Sequence, residues 1–512
     1  MGIRSVMSRP LAAYVAQQQK AWSLAPEKTQ DQVFKQLIIK AKSTRFGQDH
    51  AFAQIDHYEQ FKRLVPIRDY EGLKPYVDQI LAGRSDVLWP GKPAYLAKTS
   101  GTTSGVKYIP ITADSVPNHI NSARDALLSY VHESGSGHRG SGHRGSGHRG
   151  SGQFLDGKLI FLSGSPTLTQ KAGIHTGRLS GIANHHVPGY LRTNQLPTYE
   201  TNCIEDWETK LERIVDETVD QDMSLISGIP PWVQMYFDWL IERTGRPVGE
   251  LFPNFSVLVY GGVNFAPYRR KLFESIGRPV ASIETYPASE GFIAYQDSQT
   301  EEGLLLLLNS GIFFEFIPAD EYFDENPTRL SVHDVQLGVN YALILNSNAG
   351  LWGYSIGDTV KFVSKSPYRV VVTGRIKHFI SAFGEHVIGE EVEKAMRLTT
   401  ERFPEVEVVE YTVAPQVEPD EGLPRHEWYV AFARPPHDMA AFERTLDEQL
   451  VQLNTYYEDL ITGSILEPLR VISLPPDAFR DYMKSQGKLG GQNKVPRLSN
   501  DRKIADALAA NV

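Results

Sequence analysis

Apolar residues recur at helical spacing over residues 32–41, 58–64 and 69–82, the last after a turn made by Pro66, so the chain is expected to open with helices. From residue 159 the pattern becomes an alternation. Short apolar runs at 159–162, 224–226, 257–259 and 280–284 read as strands, and amphipathic segments at 206–219, 231–243 and 268–276 read as the helices between them. That alternation predicts an α/β sheet. Runs at 304–308, 312–316, 341–345, 360–362 and 370–372 follow with no helix between them and predict a barrel-like or distorted sheet subdomain. After Gly374 the pattern resets to a compact α+β unit. It has a helix at 390–402, strands at 406–413 and 427–432, a helix at 440–453 and a last apolar stretch at 466–472. The expected fold class is therefore α/β, with a large N-terminal domain over residues 1–375 and a smaller α+β C-terminal domain over 376–512.

Composition agrees with this division. A chain of 512 residues is too long for one ordinary core, and 41% hydrophobic content with 10% aromatics is ample for two. The net charge of −9 comes from interspersed charges, which argues against nucleic-acid or anionic-membrane surfaces and for small-molecule chemistry. The single cysteine, Cys203, can form no internal disulfide. Its neighbours Thr201, Asn202, Ile204 and Glu205 include no activating cation, so a structural thiol in a reducing cytoplasm is expected. No long apolar run follows Arg4 and Arg9, and no stretch reaches membrane-spanning length, so neither secretion nor membrane insertion is expected. No membrane or nucleic-acid partner is expected, and the chain is taken as a monomer. Residues 134–152 repeat Gly-His-Arg-Gly-Ser, placing His138, His143 and His148 five residues apart. That spacing aligns the imidazoles on no single helix face, and the glycine and serine content suits a tandemly expanded loop or an engineered insertion rather than a preorganised site.

Three clusters carry the chemistry. Lys98-Thr-Ser-Gly-Thr-Thr-Ser-Gly-Val-Lys-Tyr-Ile-Pro110 is rich in hydroxyls and glycine and contains Lys107. Backbone N–H groups freed by Gly101 and Gly105, the hydroxyls of Ser100, Thr102, Thr103 and Ser104, and the Lys107 cation suit a triphosphate. The glycine spacing is not that of the common nucleotide loop, and a polar surface turn has a similar composition. The second cluster, Glu284-Thr-Tyr-Pro-Ala-Ser-Glu-Gly291, follows a predicted strand, where an open α/β sheet binds ligands. Tyr286 suits stacking on a purine, Ser289 donation to phosphate, and Glu290 ligation of Mg²⁺; a capped surface turn is the plainer alternative. Just upstream, Gly261 and Gly262 in Tyr260-Gly-Gly-Val-Asn-Phe265 allow a flat base to lie on backbone, or simply a tight strand-to-helix turn. The third cluster pairs Gly353-Tyr-Ser-Ile-Gly-Asp358 with Thr373-Gly-Arg-Ile-Lys-His-Phe-Ile-Ser-Ala-Phe-Gly-Glu385. Asp358 can accept from ribose hydroxyls and Arg375 can approach the ribose-phosphate edge; either could instead sit in a surface ion pair.

In this order the clusters resemble the adenylate-forming superfamily of acyl and aryl ligases. In detail they are similar to a bacterial member of the Gretchen Hagen family of acyl-acid amidosynthetases. Val65-Pro-Ile-Arg-Asp-Tyr-Glu-Gly-Leu-Lys-Pro-Tyr76, the 99–110 loop, the turn 286–290, the stretch 354–358, the stretch 374–385 and Gly491-Gln-Asn-Lys-Val-Pro-Arg497 all look like that family's stretches, and the likeness covers most of the chain. Pro287 departs from the usual small-residue turn, and the His-Arg repeat has no counterpart. The resemblance implies ATP and Mg²⁺ as cofactors. It assigns Ser100, Gly101, Thr102, Thr103, Ser104 and Lys107 to the ATP phosphates, Tyr286 to adenine, Glu290 to Mg²⁺, and Asp358 with Arg375 to ribose. Lys377 falls near a hinge before a mobile C-terminal domain, and Lys494 matches the lysine that reaches the α-phosphate. The implied reaction is adenylation of a carboxylic acid and acyl transfer to an amino acid. A ligase that passes the same adenylate to coenzyme A is the runner-up. A third reading, a nucleotide-binding protein without catalysis, is disfavoured by the set Lys107, Glu290, Asp358, Arg375 and Lys494.

Overall fold

The computed structural model describes residues 2–102, 105–135, 152–187, 189–262, 265–376, 379–380, 382–385, 387–419, 421–486, 495–499 and 501–510. Thr103, Ser104, Lys377, Lys494 and residues 136–151 of the repeat lie outside the described residues. Contacts divide the chain into two compact units. One comprises Met1–Thr99, Tyr108–Ile204 and Lys210–Ile376; the other comprises Ser100–Lys107, Glu205–Thr209 and Lys377–Val512.

One sheet of eleven strands organises the first unit. Five parallel strands come in the order Gln195–Leu196, Lys158–Phe161, Met223–Ser227, Val257–Gly261, Ala281–Ala288. Helices Pro230–Thr244 and Ala266–Ile276 connect successive members, as the alternation predicts. The strand-rich stretch expected as a barrel-like subdomain is hydrogen-bonded onto this same sheet. It adds Gly291–Tyr295, Leu304–Leu306, Tyr368–Arg375, Tyr354–Lys365, Asn340–Ser347 and Ile312–Pro318 in that order, all antiparallel. Ile312–Pro318 and Asn340–Ser347 are buried along almost their whole length, so both faces of the sheet are covered there. This is why those runs read as continuously apolar rather than alternating.

A buried charge fastens the first helices to that end of the sheet. Glu315 and Arg329 are almost wholly buried and pair in two-pronged fashion at 2.7 and 2.9 Å. Tyr58 and Asn346 donate to the same carboxylate at 2.8 and 2.7 Å. The guanidinium also donates to the carbonyls of Val65 (2.6 Å) and Lys62 (3.0 Å), which holds the end of helix Tyr58–Leu64 where the Val65–Tyr76 stretch begins. A smaller sheet has the order Gly105–Ile111, Tyr95–Thr102, Ile174–Gly177, Thr169–Lys171, so the hydroxyl-rich stretch supplies the end of one strand and the start of the next.

In the second unit, Glu407–Gln416 and Arg425–Arg434 pair antiparallel and Arg470–Leu474 joins in parallel. Helices Gly389–Arg402, Met439–Leu453 and Thr455–Thr462 accompany them. Asp438 and Asn454 start the last two by accepting backbone N–H bonds from Ala441 and from Tyr456 and Tyr457, the usual role of short polar side chains at a helix N-terminus. Of the apolar stretch at 466–472, only the part from Arg470 becomes strand.

Candidate functional site

The second sequence cluster does not empty from a strand end into a loop. The strand expected at 280–284 runs on to Ala288, turns over Ser289 and Glu290, and returns as Gly291–Tyr295. This turn is where the sheet changes from parallel to antiparallel. Pro287 therefore sits in an internal strand, where it has no N–H to give the ladder. It lies opposite Phe292, next to a register shift, and the N–H and C=O of Phe292 are taken up by the buried side-chain amide of Asn118, at 2.7 and 3.0 Å. Asn118 stands in helix Val116–Gly135 and belongs to no motif that would have flagged it.

Two hydrogen bonds join this turn to the third cluster. The Tyr286 hydroxyl donates to Asp358 Oδ2 at 2.6 Å, with both residues buried. The Tyr354 hydroxyl donates to Glu290 Oε1 at 3.3 Å. Burial, and then the charge of Glu290, push the Tyr354 phenol well above its ordinary value of 10, so it stays a donor at any working pH. The register of strands Tyr354–Lys365 and Tyr368–Arg375 sets Asp358 directly opposite Arg375. Tyr286, Glu290, Asp358 and the backbone of Arg375 thus converge across the antiparallel half of one sheet, with Ser289 in the adjoining turn.

The Val65–Tyr76 stretch buttresses this site. Arg68 N–H donates to Gly353 C=O and Ser355 N–H to Arg68 C=O, both at 2.8 Å, so the segment runs as a parallel bridge beside Tyr354. Gly353 has φ +56°, and a Cβ there would stand 2.5 Å from the Pro66 carbonyl oxygen, so no larger residue fits. Asp69 caps helix Tyr70–Leu81 through Gly72 N–H. The buried Tyr70 hydroxyl accepts from Tyr108 N–H at 2.9 Å, on the strand that leaves the hydroxyl-rich loop.

The backbone of Ser100, Gly101 and Thr102 completes strand Tyr95–Thr102, and Lys107 lies on the return strand. Gly261 ends strand Val257–Gly261 where a Cβ would meet the Thr285 carbonyl oxygen at 2.3 Å, and Gly262 turns the chain at φ +82°. Close strand packing and a turn therefore account for both glycines without a ligand.

A small cavity of about 10 Å³ lies between the strand ending at Ile111, the first turn of helix Val116–Gly135 and helix Leu179–His185. Ile111, Val116, Ile120, Leu179 and Ile182 make it apolar, and His119 and His186 are its polar lining residues. Neither ring nitrogen of His119 has a hydrogen-bond partner, and burial drives its pKa from 6.5 down to about 4, so the ring is neutral. His186, at the cavity edge, meets the Tyr95 hydroxyl at 3.0 Å. Nothing in the local sequence distinguishes His119 from an ordinary helix residue.

Three family models match this chain: the GH3 family N-terminal domain over residues 15–144, the central domain over 305–375 and the C-terminal domain over 390–503. The indole-3-acetic acid-amido synthetase GH3.15 of Arabidopsis thaliana is 31% identical over 564 aligned positions, covering 94% of this chain and 92% of that protein. Two other plant amido synthetases are matched over only about half of their length, 54% and 49%. Among solved structures, an acyl acid amido synthetase AtGH3.15 in complex with 2,4-DB superposes with a TM-score of 0.59, 16% identity, and 98% and 96% of the two chains covered. A 2-hydroxyisobutyryl-CoA ligase superposes with a TM-score of 0.60 at 12% identity, covering 95% and 92%. At such identities the superpositions speak for the fold, whereas the domain models and the near full-length alignment speak for descent: the chain belongs to the GH3 family.

Proposed function

We propose that this chain is an ATP-dependent acyl-acid amido synthetase, of bacterial origin, that converts a carboxylic acid to its acyl-adenylate and then transfers the acyl group to the amine of an amino acid. The observation that carries the reading is the hydrogen bond from Tyr286 to Asp358, which joins two motifs 72 residues apart at one buried point beside Glu290. In this reading Tyr286 orients the nucleotide base and Asp358, with Arg375, receives the ribose. The 100–104 loop and Lys107 hold the phosphates. Residues 1–375 act as the nucleotide and acid domain, and 376–512 as a mobile domain.

In the first step a carboxylate oxygen of the acid bonds to the α-phosphorus while the bond to the bridging oxygen breaks, and pyrophosphate leaves. Negative charge grows on the phosphate oxygens, and Lys107 and Lys494 are the cations assigned to it. Among the described residues no group of three or more His, Cys, Asp or Glu side chains could hold a metal ion. Mg²⁺ binds through one or two carboxylates together with substrate phosphates, and Glu290 would hold it. When bound it would supply charge neutralisation at those phosphates. In the second step the amino-acid nitrogen attacks the acyl carbon and AMP departs.

The half-buried lone Cys203 and the interspersed charge support a cytoplasmic enzyme without nucleic-acid partners, taken as a monomer. The coenzyme A ligase is the second reading, because the adenylation half-site would serve either acceptor.

Pyrophosphate release across a panel of carboxylic acids, each with and without amino acids or coenzyme A, tests the proposal. An acid-dependent, Mg²⁺-requiring ATP–pyrophosphate exchange is expected, with AMP as the nucleotide product and an amide seen by mass spectrometry. Formation of ADP would overturn the adenylation step, and consumption of the adenylate by coenzyme A alone would establish the second reading.

A further inference from the structure

Helix Ile3–Ser23 buries one face and leaves an apolar stripe on the other. Ser5, Ser8, Ala12 and Val15 are buried against the body of the first unit. On the other side Ile3 (79% exposed), Val6 (53%), Met7 (70%), Leu11 (41%) and Tyr14 (59%) face solvent. Successive helix positions are about 100° apart, so these five fall within an arc of roughly 140°, in a stripe about 16 Å long. Among the described residues, thirteen large apolar side chains are exposed, and five of them form this stripe. Scattered apolar residues need no explanation, but a contiguous stripe does.

The charge around the stripe narrows what covers it. Residues 1–26 contain Arg4, Arg9 and Lys20 and no acidic residue, within a chain whose net charge is −9. On the helix wheel Arg4 borders the stripe on one side, and Arg9 and Lys20 lie beyond its other edge. A second copy of the chain would bring two such cationic helices together. Its footprint of roughly 16 by 10 Å is also far below the about 800 Å² per partner of a stable protein interface. An anionic bilayer satisfies both features, because an interfacial helix inserts its apolar face to the depth of the headgroups while flanking cations meet the lipid charge. Among the described residues no helix is long and apolar enough to cross a membrane, so only surface contact is at issue.

We propose that the stripe Ile3, Val6, Met7, Leu11 and Tyr14 is a docking surface for an anionic lipid bilayer, on which the helix lies in the interfacial plane while its opposite face stays packed on the protein. This revises the expectation from net charge, which averages a cationic first segment with an acidic remainder. The proposal is independent of the reaction assigned to the enzyme.

The test is co-sedimentation of the full chain with vesicles of phosphatidylcholine alone and with about a third phosphatidylserine. Binding to the anionic vesicles should be at least tenfold tighter than to the neutral ones and should weaken at high salt. Met7→Glu with Leu11→Glu should abolish it, and Arg9→Gln with Lys20→Gln should weaken it severalfold. All four positions are exposed, and an unchanged melting temperature would show that the variants fold. Failure to bind anionic vesicles, or binding that survives Met7→Glu with Leu11→Glu, would overturn the proposal. So would a dimer, seen by light scattering without lipid, that the same double substitution dissolves, because the stripe would then belong to a second copy.

Discussion

His119 should make this protein acid-labile by an amount that can be worked from its surroundings. Its folded pKa of about 4 lies roughly 2.5 units below the ordinary 6.5, because burial penalises the imidazolium and no partner offsets that penalty. Between those two values the unfolded chain binds a proton that the folded chain refuses, so stability rises with pH through this window. The contribution is intact above pH 6.5 and declines as pH falls towards 4. At 1.36 kcal/mol per unit the loss is about 2 kcal/mol at pH 5 and approaches about 3 kcal/mol at pH 4. Other groups titrate over the same range, so the assay is a difference. Urea unfolding of the wild type and of His119→Leu would be compared at pH 7 and pH 5. The wild type should lose about 2 kcal/mol more than the variant between the two. At pH 7 the variant should be as stable or more so, since it removes two buried nitrogens without partners, each of a kind that costs about 1–3 kcal/mol. Parallel pH profiles for the two proteins would refute the reasoning and show that His119 is solvated or paired in solution.

Tyr286→Phe keeps the ring and removes the donor to the buried Asp358 carboxylate, so it should cost about 1.5–3 kcal/mol in denaturant unfolding and lower kcat/KM for ATP. Arg329→Met strands the buried Glu315 carboxylate and should cost about 3–5 kcal/mol in denaturant unfolding, most of which Arg329→Met with Glu315→Leu should restore. Lys494→Ala should slow adenylation by about a hundredfold or more, the scale for one preorganised charge donor. A synthetic acyl-adenylate should still react with the amino acid; equal damage to both half-reactions would make Lys494 a structural residue.

The sequence by itself determined what depends on neighbours along the chain. The helices at 231–243 and 440–453 appear within a residue or two of their predicted ends, because apolar spacing and terminal signals act over a few residues. The motifs were likewise legible, since turn glycines, hydroxyls and carboxylates announce themselves by type and order. Tertiary structure alone decided what those residues do to one another. That Tyr286 lies inside a strand follows from pairing with Gly291–Tyr295, which no local preference at Pro287 would suggest; Asn118, from a distant helix, takes up the hydrogen bonds left over there. The requirement for glycine at 353 comes from the Pro66 carbonyl, almost three hundred residues earlier. His119 and the stripe on the first helix were invisible for the same reason: composition records that a residue is polar or apolar, and only the packing of other elements decides whether it ends up buried without a partner or exposed without a cover.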